Sequence, residues 1–405
     1  MTDTTYFRRG LGLKKEVQPV LDAEYHSAIV ARIRADGYSA TFGDITVRLA
    51  QEFGFCYGVD RAVDYAYQTA MKFPERRIWL VGEIIHNPHV NQRMRDMGIT
   101  FIYPDAGGHF DFGAVTADDV VILPAFGVTL HDLETLKEVG CILIDTTCGS
   151  VLNVWKRVDS YARDGFTAII HGKYQHEETR ATASQVNNHG GRYVIVRNMD
   201  EARILMNYIE RNQDSLAPED LVDHFRAKAS PDFDPDRDLV RVGAANQTTM
   251  LSTESLAIAE AIGRSLAKRY GEDNRDEHFR SFDTICSATQ ERQDAVLKLM
   301  EAPPDIMIVI GGYNSSNTNH LAHLCREYTR TYHISDATCI DPERGTIRHK
   351  PELDADAPET EDRAWLPDGP LTIGFTAGAS TPNNKIGQTL QRVLATRGTA
   401  VPELA

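Results

Sequence analysis

Gly54-Phe55-Cys56-Tyr57-Gly58-Val59 is the stretch on which the fold turns. An apolar run at 46–50 ends just before it. A cysteine follows, and Val59, Ala62, Val63 and Ala66 then recur at helical spacing. The design occurs twice more. Asp145-Thr146-Thr147-Cys148-Gly149-Ser150 leads into Val151, Val154, Trp155 and Val158, and Asp283-Thr284-Ile285-Cys286-Ser287-Ala288 leads into Ala295, Val296 and Leu299. A thiol at a helix N-terminus faces free N–H groups and the positive dipole end, which favours the thiolate. Thiolates are the ligands of metals and iron–sulfur clusters. A single cysteine at a strand end is commonly a small buried residue, but three copies of one pattern argue for a shared role. Cys141, Cys325 and Cys339 read as structural, and the absence of a CxxC pair argues against a zinc ribbon or thioredoxin motif.

A chain of 405 residues implies two or three domains. Apolar content of 42% and charged content of 25% are ordinary for a soluble globular protein. The net charge of -15 argues against a general binder of nucleic acid or anionic membrane. Six cysteines in this length do not make a disulfide framework. The N-terminal residues lack the apolar core of a secretory signal, and no apolar run is long enough to span a bilayer. A soluble protein in a reducing, cytoplasmic compartment is expected.

Residues 1–45 read as an extension wrapped on the surface, with one helix over 21–35. From 46 onward short apolar strands alternate with helical patterns, the signature of α/β layering and parallel sheets. Strands are expected at 46–50, 78–82, 119–123 and 141–145, then 166–170, 192–196, 239–243 and 281–285, then 305–310, 330–334 and 371–375. They group into lobes at 46–148, 149–283 and 284–397. Two acidic, proline-bearing inserts, 212–238 and 341–370, read as surface loops.

Ligands gather beyond the C-terminal ends of strands in open α/β sheets. Six of those ends carry glycine, hydroxyl, amide and histidine residues: 83–89, 124–129, 171–179, 244–249, 311–319 and 376–381. Any one could be an ordinary helix cap. Together they suit a phosphate-bearing ligand, since hydroxyls, amides and helix N-termini all donate to anions. His176 with Glu177 and Glu178 is the best acid/base candidate. His171 reads as structural and His89 as a helix cap.

Taken in order, Gly54-Phe55-Cys56 with Gly58-Val59-Asp60-Arg61-Ala62-Val63, Ile85-His86-Asn87, Asp145-Thr146-Thr147-Cys148, Gln247-Thr248-Thr249, Ile285-Cys286-Ser287-Ala288-Thr289, Asn314-Ser315-Ser316-Asn317-Thr318-Asn319 and Thr376-Ala377-Gly378-Ala379-Ser380 resemble the IspH/LytB family of 4-hydroxy-3-methylbut-2-enyl diphosphate reductases. The resemblance covers roughly 46–395 apart from the inserts, and the extension with Phe7-Arg8-Arg9-Gly10 is similar to that of the family's longer branch. It implies an α/β fold of three similar βα lobes in pseudo-threefold arrangement around a central [4Fe–4S] cluster. Cys56, Cys148 and Cys286 would hold three irons, with the fourth open to substrate. His86, His176, Ser315, Ser316, Asn317 and Ser380 would bind the diphosphate. Glu178, the proton source, and Thr248 would line the hydroxyl end. The implied reaction is the reductive dehydroxylation that ends the methylerythritol phosphate route to isoprenoids, giving isopentenyl and dimethylallyl diphosphate, with ferredoxin or flavodoxin as electron donor.

Three positions depart from the family pattern. Phe126 stands where much of the family has His, Glu177 where Pro is usual, and Gly149 where Pro is more common. Two readings of other classes compete: a non-catalytic iron–sulfur or zinc sensor, and a zinc-dependent hydrolase of a phosphorylated small molecule using a three-cysteine site with one open position.

Overall fold

The computed structural model describes residues 5–282, 284–351 and 357–399. The chain forms two compact units. One takes in Met1–Arg8, Glu75–Gly82 and Thr100–Cys286, the other Arg9–Pro74, Glu83–Ile99 and Ser287–Ala405.

The first unit holds two all-parallel sheets. One runs Tyr6–Phe7, Ile142–Asp145, Val120–Leu123, Ile78–Val81, Thr100–Ile102. The other runs Phe279–Ser281, Val242–Asn246, Thr167–His171, Tyr193–Val196. Val120–Leu123 and Thr167–His171 are buried along their whole length. This is why they read as continuous apolar runs: helices cover both faces of a parallel sheet. The second unit holds one five-stranded sheet, Arg330–Ile334, Ile306–Ile310, Leu371–Ala377, Ile45–Leu49, Ser39–Phe42. It is parallel except for the terminal hairpin, where Ser39–Phe42 turns at Gly43 (φ 61°) and pairs antiparallel with Ile45–Leu49.

Several expectations are corrected. The strand expected at 46–50 pairs with Leu371–Ala377 and so belongs to the third sheet, not to the first lobe. Its alternation reports an inward face of Ile45, Val47 and Leu49 but says nothing of its partner. The strand expected at 239–243 begins only at Val242, because the short helix Pro235–Asp238 precedes it. The strand expected at 281–285 ends at Ser281, so Cys286 follows a loop and not a strand. The helix expected at 21–35 is two, Lys14–Tyr25 and Ala28–Ala35, separated where the Ser27 hydroxyl caps the second.

Neither the extension nor the inserts are merely surface. Tyr6–Phe7 adds an edge strand to the first sheet, and Ile29, Val30 and Ile33 lie in the core of the second unit. Within 212–238 the helix Pro218–Phe225 buries Leu221 and Phe225, one turn apart, against Val194, Leu205 and Ile258. The insert 341–370 carries Thr346–His349 and Thr360–Arg363 of a small antiparallel sheet, and Trp365 is fully buried. Residues 352–356 of that insert, and Asp283, lie outside the described residues. Cys339, read as structural, is buried in a short 3-10 turn at Ala337–Cys339.

Candidate functional site

In the first unit, Cys148 sits at the N-cap of the helix Gly149–Arg163. Its N–H donates to Ala125 O at 2.9 Å, which ties it to the turn beyond Val120–Leu123. Asp145 braces the approach. Its carboxylate accepts from Thr147 N at 2.9 Å, from the Tyr6 hydroxyl at 2.7 Å and from Arg8 Nε at 2.8 Å. Burial opposes the Asp145 charge, but these donors prevail and hold its carboxyl below the usual carboxylate range. The N-terminal strand therefore reaches the cysteine turn. Gly127 is required beside it: φ is 76°, and a Cβ there would lie 2.4 Å from the Trp155 ring.

The same unit brings Glu178, Thr248 and Cys286 into one chain of hydrogen bonds. Glu178 Oε1 accepts from Thr248 N at 2.6 Å, and Thr248 O accepts from Cys286 N at 3.4 Å. Glu178 is 1% exposed, while Glu177 is half-buried. His176 caps the helix Glu177–Val186, its Nδ1 accepting from Glu178 N at 3.2 Å. An accepting Nδ1 leaves Nε2 as the N–H donor of the neutral ring. The Phe126 ring stands edge-on to His176 at 5.6 Å.

Gln247 has a role the sequence did not disclose. Its Oε1 accepts from Lys173 N and the Thr179 hydroxyl, both at 3.1 Å, and its Nε2 donates to Thr249 Oγ1 at 2.8 Å. It fastens the Thr248 loop to the turn that carries His176. His171 serves structure: Nδ1 meets the Ser255 hydroxyl at 2.8 Å and Nε2 meets Arg197 O at 3.2 Å. Burial pulls its pKa down to about 4.

In the second unit, Cys56 sits at the N-cap of the helix Tyr57–Lys72 and donates its N–H to Ala379 O at 3.2 Å. His86, Ser315, Ser316, Asn317 and Ser380 are all buried within this unit. The Ser380 hydroxyl donates to His86 O at 3.2 Å, and Asn87 Nδ2 donates to Ser380 O at 2.8 Å. Ser315 caps the helix Ser316–Arg326. Asn317 Oδ1 accepts from Ala379 N at 2.9 Å, while its Nδ2 is buried with no partner. A buried amide donor without an acceptor, in the first turn of an eleven-residue helix, fits a site for an anion. His86 Nδ1 lies 3.1 Å from Glu83 Oε2, and Asn314 Nδ2 donates to the same oxygen at 3.2 Å. His89 is not a cap. Asn87 fills that role, its Oδ1 accepting from His89 N and Val90 N.

The three candidate ligand cysteines differ from the rest. Cys56 and Cys148 occupy N-caps, where an oxygen side chain normally satisfies the helix, and neither makes a side-chain capping bond. Cys286 directly precedes the helix Ser287–Met300. All three are half-buried. Cys141 and Cys325 are buried, which pushes the Cys141 thiol up to about 11 and raises that of Cys325 further. A half-buried thiol at a positive helix end suits thiolate ligation, as in iron–sulfur proteins.

The LytB protein family model matches residues 47–394. A 4-hydroxy-3-methylbut-2-enyl diphosphate reductase of Thermosynechococcus vestitus is 49% identical over 396 residues, covering 98% of this chain and 96% of that protein. The enzyme of that name from Gloeobacter violaceus is 48% identical over 402 residues, covering 98% and 94%. Among solved structures, an (E)-4-hydroxy-3-methyl-but-2-enyl diphosphate reductase, described as the terminal enzyme of the non-mevalonate pathway, aligns with TM-score 0.51 at 26% identity over 86% of this chain and 98% of that one. The reductase from Plasmodium falciparum shares the fold, with TM-score 0.61 at 22% identity over 86% and 87%. The chain belongs to the LytB family.

Proposed function

We propose that the chain is a 4-hydroxy-3-methylbut-2-enyl diphosphate reductase, reducing the allylic alcohol of its substrate with two electrons and two protons. Isopentenyl and dimethylallyl diphosphate are the products, and the hydroxyl leaves as water. Cys56, Cys148 and Cys286 would hold a [4Fe–4S] cluster through their thiolates. When bound, the cluster supplies the electrons and a Lewis-acidic iron.

The remaining steps fall to side chains. His86, His176, Ser315, Ser316, Asn317 and Ser380 bind and orient the diphosphate through N–H and O–H donors. Asn317 Nδ2, buried without an acceptor, supports this role most directly. Glu178 delivers the proton with which the hydroxyl leaves, and Thr248 positions that hydroxyl. Burial to 1% exposure keeps water off the Glu178 carboxyl. The Thr248 N–H holds Oε1 of that carboxyl at 2.6 Å, which orients the acid for proton delivery. No helix among the described residues is long and apolar enough to cross a membrane, in keeping with a cytoplasmic enzyme that draws electrons from ferredoxin or flavodoxin.

The observation that carries an enzyme over a sensor is Glu178: a carboxylate buried to 1% exposure and bonded to the loop that also binds Cys286 N. A sensor needs thiolates but not this acid. Anaerobic purification with iron, sulfide and zinc analysis, followed by a diphosphate turnover assay, tests the proposal. A brown protein with about four irons and four sulfides that turns over the allylic diphosphate is expected. A colourless protein with stoichiometric zinc and no sulfide after reconstitution would put the hydrolase first.

A further inference from the structure

Arg292 lies in the helix Ser287–Met300 and is 3% exposed. Its Nη1 donates to Ala288 O and its Nη2 to Gly54 O, each at 2.7 Å, while Nε is buried with no partner. Among the described residues no carboxylate stands within ion-pair distance of it. Asp60 is the acid that feels its charge, but burial holds the Asp60 carboxyl above its ordinary value, with Lys14 and Arg292 pulling it back only in part. A guanidinium does not lose its proton in a protein. The second unit therefore keeps a buried positive charge bonded only to main-chain carbonyls, an arrangement that is costly unless something anionic comes near.

The two carbonyls indicate what that is. Gly54 is two residues before Cys56, and Ala288 is two residues after Cys286. Two residues of chain reach at most ~7 Å. Gly54 itself is held tightly, with φ at 82° and a Cβ position only 2.5 Å from Asn383 Oδ1. One side chain thus fastens the turn that presents Cys56 to the first turn of the helix that follows Cys286.

We propose that Arg292 is a positioning residue for the cysteine turns and supplies the positive charge that offsets the bound cluster. The inference rests on the functional reading above. Three thiolates outweigh the positive charge of an oxidised cluster core, so the bound assembly is anionic, and it becomes more so on gaining an electron. A fixed cation close by favours the reduced form and raises the reduction potential, since net charge and burial are among the protein's levers on it.

The test is a potentiometric titration, followed by electron paramagnetic resonance, of holoenzyme carrying Arg292→Met or Arg292→Lys. Iron and sulfide content and thermal unfolding are measured alongside. In Arg292→Met the potential is expected to fall by about a tenfold change in the reduction equilibrium, which is ~59 mV for one electron. Arg292→Lys, which keeps the charge without the planar fork, is expected to recover most of that shift. An Arg292→Met enzyme with full cluster content and the wild-type potential would overturn the proposal. So would an Arg292→Lys enzyme displaced as far as Arg292→Met, because charge would then play no part. Should Arg292→Met fail to load iron, Arg292→Lys decides: a potential near wild type supports the proposal, and a lowered one overturns it. A wild type without iron and sulfide would overturn the functional reading, and the inference with it.

Discussion

The two units equip their functional residues in opposite ways. The first encloses an acid. Glu178 is almost fully buried, and its partner at Oε1 is a main-chain N–H, from Thr248. The second gathers donors. Hydroxyls, a histidine and an asparagine amide crowd the start of the helix Ser316–Arg326, with one buried N–H group left unpaired. An enclosed carboxylate can hold a proton for delivery, whereas clustered donors hold an anion still. The enclosed acid and the cluster of donors thus lie in separate compact bodies, and substitutions at Glu178 and at Asn317 should have separable effects.

The largest effect is expected at Glu178. Glu178→Gln keeps the shape and removes the proton, so kcat should fall by about 10²–10⁴ while iron and sulfide stay at the wild-type level. The companion Glu177→Gln should retain most of its turnover. Equal losses in the two variants would show that the difference in burial does not choose the acid.

A smaller effect comes from two buried histidines, one in each unit, whose pKa burial pulls far down. His171 in the first unit is pulled down to about 4 and His333 in the second to about 3, in both cases by burial. Each stays neutral when folded but charges in the unfolded chain near its ordinary value of ~6.5. The unfolded state therefore binds the extra proton as pH drops. The stability that each contributes is complete above ~6.5 and is lost as pH falls through that value toward the folded pKa. For His171 the loss is up to about 3 kcal/mol. Urea unfolding at pH 7 and pH 4.5 should show wild type losing more than His171→Gln, and parallel losses would remove His171 as a source of acid lability.

Asn317→Ala sharpens the donor half of the contrast. Losing one charge-assisted hydrogen bond, worth about 1.5–3 kcal/mol, should raise KM for the diphosphate about 10–100-fold with a much smaller change in kcat. A fall in kcat with unchanged KM would move Asn317 out of diphosphate binding. The mildest change is expected from Arg8→Ala. Arg8 is half exposed and Asp145 only 5%. Removing Arg8 leaves Tyr6 and Thr147 on the carboxylate, so a loss of about 1 kcal/mol is expected. Thermal unfolding checks it, and no shift would mean that the Arg8–Asp145 pair adds nothing to the docking of the N-terminal strand.

How far the sequence disclosed this architecture depended on how local each signal was. Val120–Leu123 and Ile306–Ile310 were legible because burial on both faces writes itself as an unbroken apolar run. Pairing was not legible: nothing in 46–50 names Leu371–Ala377 as its neighbour. Tyr6–Phe7 is too short to show a period, and the acidic residues of 212–238 hid the Leu221–Phe225 pair that anchors it. Within the site, the cysteine turns and the His176-Glu177-Glu178 run stood out in the sequence, while the choice of Glu178 over Glu177 came only from the family resemblance. Gln247 and Arg292 were not, because their roles lie in main-chain groups some 70 and 240 residues away, by hydrogen bonds no pattern announces. A buried arginine in a polar-looking helix start reads from sequence as a solvated charge.

The pairing of Ile45–Leu49 with Leu371–Ala377 also fixes an order of events at the ribosome. Leu371–Ala377 is central in its sheet, with Ile306–Ile310 on one side and Ile45–Leu49 on the other. Until it is synthesised, Ile45–Leu49 has only its own hairpin partner. The N–H of Cys56 bonds to Ala379, which emerges later still. Domains fold as their residues become available, and pairings distant in sequence close last. The two sheets of the first unit are complete in sequence once residue 281 has been made. The first cysteine of the trio to be translated therefore waits on a residue made long after it before its N–H finds its native partner.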